Sequence, residues 1–302
     1  PIIDVPVELE TPDIRVGLLD ISDDNPGVDQ ATIFSTGGLQ VRDEGHELLA
    51  ELNPFERVVI RRDIPNELQT IDLPQGTRIL TVGKVLVAPQ EKSLLRLEET
   101  APQRTYRGQM EFAWLPHFQS AWVVNTLSMD DYLAGIVEQG DTIPWEALRA
   151  SAIAFRSYGY TVRNERRKRG NLFDVAASTR HTPTLFTRDQ VYHGLARELS
   201  GTRLREAIDD TRGRVMTYQG RTIHAVYFSR ADGRTRSWHD VWGGQVKPWA
   251  LGIDDPYSAG QRLLGHGIGL PLQSANLMAQ TGANGEQILT HYYTDVTFEH
   301  VY

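Results

Sequence analysis

The chain has 302 residues, a formal net charge of −8 and no cysteine. The acidic balance argues against a nucleic-acid surface, which would be basic, and the missing cysteine excludes disulfides, thiol nucleophiles and cysteine-ligated zinc. Its length suits one large domain or two smaller ones, and no apolar run approaches the length of a membrane-spanning helix. No signal peptide is recognisable at the start of the chain, so composition does not predict the compartment.

Short strands dominate the first hundred residues. Runs of β-branched and aliphatic residues at 14–19, 57–61 and 78–85 are separated by clusters of Pro, Gly and Asn, a pattern typical of strands and turns. Gly83 interrupts the third run and indicates a bulge. A weak helical spacing covers 44–52. We expect the strands to form a barrel or sandwich that serves as a scaffold.

The centre of the chain carries the clearest helix signals. A strand at 121–124 precedes a short acidic helix, and a long helix begins near Pro144, a residue that suits the first helical turn. Apolar residues at helical spacing predict its buried face: Leu148, Ala152, Phe155, Tyr158 and Val162. Four basic residues at 166–169 and then Gly170 mark its end. We interpret the basic run as a complement to the helix dipole rather than a phosphate site.

The last hundred residues alternate helices with a hairpin. Two alternating runs within 215–229 flank Gln219 and Gly220, which is typical of a hairpin with a two-residue turn. Helical apolar spacing predicts helices in three segments, 204–208, 275–282 and 284–293. We expect the two closing helices to pack in the core.

Several ordered motifs resemble the SpoIID/LytB family of bacterial cell-wall proteins. The segments are DDYLAGIV at 130–137, PWEALRASA at 144–152 and RSY at 156–158. Further similarity extends the resemblance over about residues 105–298, which is far more specific than a lone motif. The resemblance implies an α+β fold of SpoIID type, in which a β-rich scaffold and several helices surround a cleft.

The resemblance also predicts how the chain is divided. A β-rich N-terminal region would cover 1–104, and a SpoIID/LytB-like domain would cover 105–302. The strand at 14–19 resembles the opening strand of the family's domain, so a second interpretation has the N-terminal region as an integral part of the same domain.

The family resemblance implies a lytic transglycosylase that cleaves peptidoglycan between N-acetylmuramic acid and N-acetylglucosamine. One carboxyl group acts first as acid and then as base, so its surroundings should be apolar enough to raise its pKa. The loop before Pro144 is shorter than the family pattern. Counting back from Pro144 places the acid at Glu138, and Asp141 is the second candidate. The alternative is that Glu138 only ends a helix, exposed to solvent.

Downstream motifs supply residues that line the saccharide cleft in the family. Gln190 and Tyr192 lie in DQVYHG, where a helix start with a core tyrosine is the alternative. His266 lies between glycines in GHGIG, where it would contact a sugar, orient the acid or serve as a buried structural histidine. Asp232 stands where the family has a glycine. The set predicted to bind substrate comprises Arg156, Gln190, Tyr192, Ser229, Thr235, His266 and Gln273.

We expect no metal and no cofactor. Some family members hold zinc with cysteine and histidine near 173–181, but this chain has Ala176 there, and we interpret His181 as a surface residue. The expected partners are peptidoglycan glycan strands, without nucleic acid and without a membrane span. The alternative is a catalytically degenerate peptidoglycan-binding protein, or an enhancer that acts with a cell-wall amidase. The resemblance implies an extracytoplasmic or cell-envelope location in a bacterium.

Overall fold

Mixed sheets and several helices make up the protein, which confirms the predicted α+β, β-rich class. The computed structural model describes residues 10–22, 25, 27–63, 68–100, 104–115, 120–177 and 189–302, so His181 lies outside the described residues. Contacts divide the chain into two units. The sheet unit comprises Asp13–Val137 and Glu165–Leu199, and the C-terminal unit comprises Pro1–Pro12, Glu138–Asn164 and Ser200–Tyr302.

Thirteen strands form the sheet unit as described. They are β1 (Asp13–Ile21), β2 (Gln30–Ser35), β3 (Leu39–Arg42), β4 (Leu48–Leu52), β5 (Arg57–Asp63), β6 (Leu68–Asp72), β7 (Arg78–Thr81), β8 (Val85–Pro89), β9 (Leu95–Leu97), β10 (Arg104–Tyr106), β11 (Gln109–Leu115), β12 (Ser120–Ser128) and β13 (Val175–Ala176). Their order is β13-β1-β12-β11-β8-β3-β4 in one sheet and β10-β9-β2-β5-β6-β7 in the other. Among the described residues neither order closes on itself, so the strands that the structure describes form open sheets rather than a barrel.

Strand β1 joins the start of the chain to its centre. It runs antiparallel to β12, from the pair Asp13 and Ser128 to the pair Ile21 and Ala121, and it is parallel to β13. The predicted division between residues 104 and 105 lies inside the sheet unit. Strands from both predicted regions therefore share one sheet.

The run at 78–85 is two strands rather than one. Strand β7 belongs to the six-stranded sheet and β8 to the seven-stranded sheet. Gly83 lies between them with φ of 75°, and a Cβ there would come within 2.2 Å of a carboxylate oxygen of Glu44. The predicted bulge is therefore wrong, because this glycine turns the chain from one sheet to the other. The helix that the weak spacing at 44–52 indicates is also a wrong prediction, because strand β4 covers most of that segment.

Helix α1 (Met129–Ala134) follows β12 directly. The hydroxyl of Ser128 accepts a hydrogen bond from the backbone N–H of Asp131, which caps the helix. The strand predicted at 121–124 is longer in the structure, where β12 covers Ser120–Ser128 and includes Asn125. The amide of Asn125 is buried and donates to the carbonyls of Arg107 and Gln109, so a polar residue is accommodated inside the sheet.

The basic run at the end of the long helix contacts buried carboxylates. Arg166 pairs with Asp189 at 2.7 Å, and Arg167 pairs with Asp174 at 2.8 Å and with Asp13 at 3.1 Å. The side chains of Asp174 and Asp189 are 1% exposed. These two arginines therefore neutralise buried charges, a role that the helix-dipole interpretation did not include.

The C-terminal unit combines helices with short strands. Its elements are α2 (Trp145–Lys168, which continues into the sheet unit), α3 (Leu195–Ser200, most of it in the sheet unit), α4 (Thr202–Asp210), β14 (Arg214–Tyr218), β15 (Arg221–Thr222), β16 (Tyr227–Phe228), α5 (Trp238–Trp242), a 3-10 turn (Pro256–Ser258), β17 (Leu270–Pro271), α6 (Leu272–Gln280), α7 (Gly285–Tyr292) and β18 (Thr297–His300). The hairpin prediction is confirmed for β14 and β15, where Gln219 and Gly220 have φ of 49° and 72°.

Arg156 is the most buried charged side chain of helix α2, with 0% exposure. Its guanidinium donates to the carbonyls of Ile208 and Thr211, both at 2.8 Å, and to the hydroxyl of Tyr302 at 2.9 Å. The first two acceptors lie at the C-terminal end of α4, where carbonyls lack helical partners. Arg156 therefore ties α2 to the end of α4 and to the chain terminus.

We expect Arg156→Met to lower the free energy of unfolding of the C-terminal unit by at least about 3 kcal/mol, because several buried acceptors lose their donor. The measurement is urea denaturation followed by tryptophan fluorescence. The matched control is Arg169→Met, directly after the end of the same helix. This side chain is 72% exposed, and its replacement should change stability by less than about 1 kcal/mol. Equal effects of the two substitutions would contradict the role given to Arg156.

Candidate functional site

The segment between α1 and α2 holds both candidate acids. Gln139 is buried in this loop, and its amide donates to the hydroxyl of Ser151 on α2 at 3.0 Å. Glu138 is half-buried. The hydrogen bond from Gln139 to Ser151 therefore holds the loop against helix α2, directly beside Glu138.

Asp141 caps helix α4. One carboxylate oxygen accepts the backbone N–H of Leu204 at 3.1 Å, and the other accepts that of Arg203 at 3.4 Å. The guanidinium of Arg203 donates to the carbonyl of Asp141 at 2.8 Å and to that of Ile143 at 2.9 Å. The two hydrogen bonds from the backbone of α4 engage both carboxylate oxygens of Asp141. A carboxyl group whose two oxygens both accept backbone N–H groups is poorly placed to donate a proton to a substrate.

Gln190 and Tyr192 lie inside the sheet unit. Tyr192 is 1% exposed, and its ring lies 5.3 Å from that of Tyr132 and 6.0 Å from that of Tyr106. Gln190 is 3% exposed and accepts a hydrogen bond from the hydroxyl of Tyr132 at 3.1 Å. Burial raises the pKa of Tyr192 well above its usual value. The structure therefore places these two residues in a tyrosine core, with no exposed ring face for a sugar.

Both ring nitrogens of His266 are used inside the protein. Nδ1 accepts the backbone N–H of Ile268 at 3.0 Å, so Nε2 carries the proton that is donated to the carbonyl of Tyr227 at 2.9 Å. Burial lowers the pKa of His266, and the hydrogen bond to Tyr227 opposes that change. The ring is therefore neutral and fixed in orientation.

The glycines around His266 are required by the fold itself. Gly265, Gly267 and Gly269 have φ of 108°, 83° and 73°. A Cβ on Gly269 would lie 2.1 Å from the carbonyl oxygen of Val226. Close packing within the protein therefore explains this motif.

The remaining residues of the predicted binding set differ in burial, and two of them are neighbours. Thr235 is 3% exposed, and its hydroxyl accepts the backbone N–H of Ile253 at 3.0 Å. Ser229 and Gln273 are exposed, and the backbone N–H of Gln273 donates to the carbonyl of Ser229 at 3.1 Å. Arg156 is engaged in the buried network described above and presents no exposed donor. Of the set, Ser229 and Gln273 are the exposed side chains.

Asp232 forms a two-pronged ion pair with Arg236, at 2.8 and 3.0 Å. Hydrogen bonding to Arg236 lowers the pKa of Asp232. Arg236 also lines an open cleft of about 560 Å³. The cleft is lined by Arg234, Thr235, Arg236, Ser237, Asp240, Val241, Gly252, Ile253 and Asp254.

A row of aromatic rings beside this cleft was missed at the sequence level. Trp238 and Trp242 lie one helical turn apart on α5, with ring centroids 4.6 Å apart. Trp242 lies 4.8 Å from the ring of His266, and Trp238 lies 5.8 Å from that of His224. The spacing of the two tryptophans in SWHDVW was the available signal, because residues four apart share one helix face.

No group of three or more His, Asp or Glu side chains that could hold a metal ion occurs among the described residues. Within the same part of the chain, none of the helices has the length and apolar character needed to cross a membrane.

The fold and the loop define an α+β protein with a half-buried carboxylate ahead of a long buried helix. Residues 118–218 match the family model SpoIID, described as Stage II sporulation protein, so this segment of the chain is similar to that family. The predicted resemblance is confirmed. The family indicates a function related to sporulation or peptidoglycan.

The chain is also similar to an uncharacterized protein of Brachyspira hyodysenteriae. It is 31% identical over 162 residues, which cover 48% of this chain and 40% of the relative. The chain therefore spans less than half the length of that relative.

We expect the stability of the protein to fall through His266 as the pH falls past the unfolded histidine pKa of about 6.5. The unfolded chain binds a proton near pH 6.5, whereas the lowered pKa keeps the folded ring neutral to lower pH. The contribution is therefore complete above the unfolded pKa and is lost as the pH falls toward the folded pKa. His266→Gln, which does not titrate at this position, should lose less stability over the same fall in pH in urea denaturation. Parallel pH profiles of the two proteins would rule this out.

Proposed function

We propose that this protein is a lytic transglycosylase that cleaves the bond between N-acetylmuramic acid and N-acetylglucosamine in peptidoglycan, with Glu138 as the single acid and base. The observation that carries the proposal is the position of Glu138, a half-buried carboxylate next to Gln139, whose amide is bonded to Ser151 on α2. Asp141 is bound to the backbone of α4, while Glu138 is half-buried in the segment that matches the SpoIID family.

The proposed reaction needs one carboxyl group and an internal nucleophile. Protonated Glu138 donates its proton to the glycosidic oxygen as the bond to C1 of the muramic residue breaks. The C6 hydroxyl of the same sugar then bonds to C1, and its proton passes to the Glu138 carboxylate. The products are a 1,6-anhydro end and a free 4-hydroxyl, and the acid is regenerated. No water is consumed, unlike in glycosidases that use two carboxylates.

Rigid support of the loop favours this role. Gln139, adjacent to the acid, is bonded to Ser151 on α2, and that helix is tied to α4 by Arg156. A catalytic side chain has to be held close to its productive geometry, and buried hydrogen bonds provide such support. The substrate places the reaction outside the cytoplasm, at the bacterial cell envelope.

The second candidate function is binding without cleavage, with the protein acting as an enhancer of a cell-wall amidase. The ion pair of Asp232 with Arg236 favours it, because a side chain occupies a position where the family has a glycine. A salt bridge at this point alters the surface that a ligand would approach.

We expect Glu138→Gln to reduce the release of 1,6-anhydro products from purified peptidoglycan by about 100-fold or more, since the amide cannot donate and accept the proton in turn. The products are quantified by mass spectrometry. Asp141→Asn is the matched control: the amide oxygen can still accept the backbone N–H of Leu204, so activity should stay within about threefold.

Two outcomes would contradict the proposal. If Asp141→Asn loses activity and Glu138→Gln keeps full activity, the catalytic acid is Asp141 and not Glu138. If the wild type binds insoluble peptidoglycan but releases no anhydro product, the cleavage proposal is refuted and the enhancer function is the one supported.

A further inference from the structure

Six rings form a continuous aromatic row in the C-terminal unit. Neighbouring centroids are 4.6 to 6.4 Å apart, within the range of favourable ring contacts. In order the rings belong to Tyr158, His224, Trp238, Trp242, His266 and Phe228. Part of the row reaches the surface.

Trp242 is the exposed member of the row, with 46% of its surface open to solvent. It rests edge-on against Trp238, which packs on the buried cluster of Val226, Ala250 and Ile268. Its other neighbour, His266, is held by two hydrogen bonds. An exposed indole on such rigid support is a preorganised flat surface.

The cleft of about 560 Å³ borders the same short helix. Ser237, Asp240 and Val241 line the cleft, whereas Trp238 and Trp242 belong to the aromatic row. Val241 in the cleft lining is adjacent to Trp242, so a ligand that crosses this end of α5 would meet the indole and then the hydroxyl, carboxylate and guanidinium groups of the cleft.

The charges around the row discriminate between classes of ligand. The ammonium group of Lys247 lies 5.8 Å from the ring of Trp238 and 5.5 Å from that of Trp249, so a second cation would be repelled. The cleft lining contains two arginines and two aspartates, which gives it no net charge to attract a polyanion. A purely apolar ligand would leave these polar groups without partners.

A neutral saccharide satisfies all of these conditions. The C–H face of a pyranose can stack on an indole, and its hydroxyl and acetamido groups can bond to the polar lining. We propose that Trp242 stacks on a neutral pyranose ring of the glycan strand, with the adjoining cleft binding the polar edge of that sugar. The identity of the polymer rests on the proposed function. Trp242 is a substrate-binding residue in this proposal and takes no part in the proton transfer.

The test uses the full chain and an N-acetylglucosamine tetrasaccharide, with affinity measured by isothermal titration calorimetry. We expect Trp242→Ala to weaken binding about tenfold, because the stacking surface is removed. Trp242→Phe keeps an aromatic face and should stay within about threefold of the wild type. The matched control is Val246→Ala, which also removes an exposed apolar side chain, with 59% exposure, and should bind like the wild type.

Equal affinity of wild type and Trp242→Ala, or no binding by the wild type, would overturn the stacking proposal. Either result leaves the proposed cleavage standing if the wild type still releases 1,6-anhydro products. Binding that depends on Trp242 in a wild type without anhydro products would support the stacking surface and refute the cleavage. Circular dichroism of each variant confirms that an altered affinity does not reflect unfolding.

Discussion

The buried guanidinium of Arg156 is the constraint on which the C-terminal unit depends. A charged group without exposure is stable only when its donors are satisfied, and here carbonyls at the end of α4 and the hydroxyl of Tyr302 accept its hydrogen bonds. The same helix carries Ser157, which donates to Ile153 and accepts from the backbone of Met216. The segment RSY therefore links α2 to both a helix and a strand.

That link also determines the surroundings of the proposed acid. Helix α4 is held by Arg156 at one end and by Asp141 at the other. Because Asp141 belongs to the loop that precedes α2, the loop, α2 and α4 form one hydrogen-bonded assembly. Glu138 and Gln139 lie in this assembly, and the bond from Gln139 to Ser151 adds a further attachment. A half-buried carboxylate thus lies on rigid supports, as acid–base chemistry requires.

The proposed cleavage and the proposed stacking surface use different kinds of side chain. An acid needs a proton at a defined position, whereas a sugar-binding surface needs a flat apolar face beside polar groups. Trp242 meets the second requirement because Trp238 and the neutral His266 support it. The hydrogen bonds of His266 use up both of its nitrogens. This histidine is therefore a support for the aromatic row rather than a proton carrier.

The sequence alone determined the elements whose signals are local. Strand β1, helix α2, the hairpin at Gln219 and Gly220, and the SpoIID motifs follow from residue spacing and turn chemistry within a few positions. Only the tertiary structure decided what the polar side chains do. Asp141 meets Leu204 across 63 positions, and Arg156 meets Tyr302 across 146. No periodicity encodes such partners, because they meet only when the chain has folded.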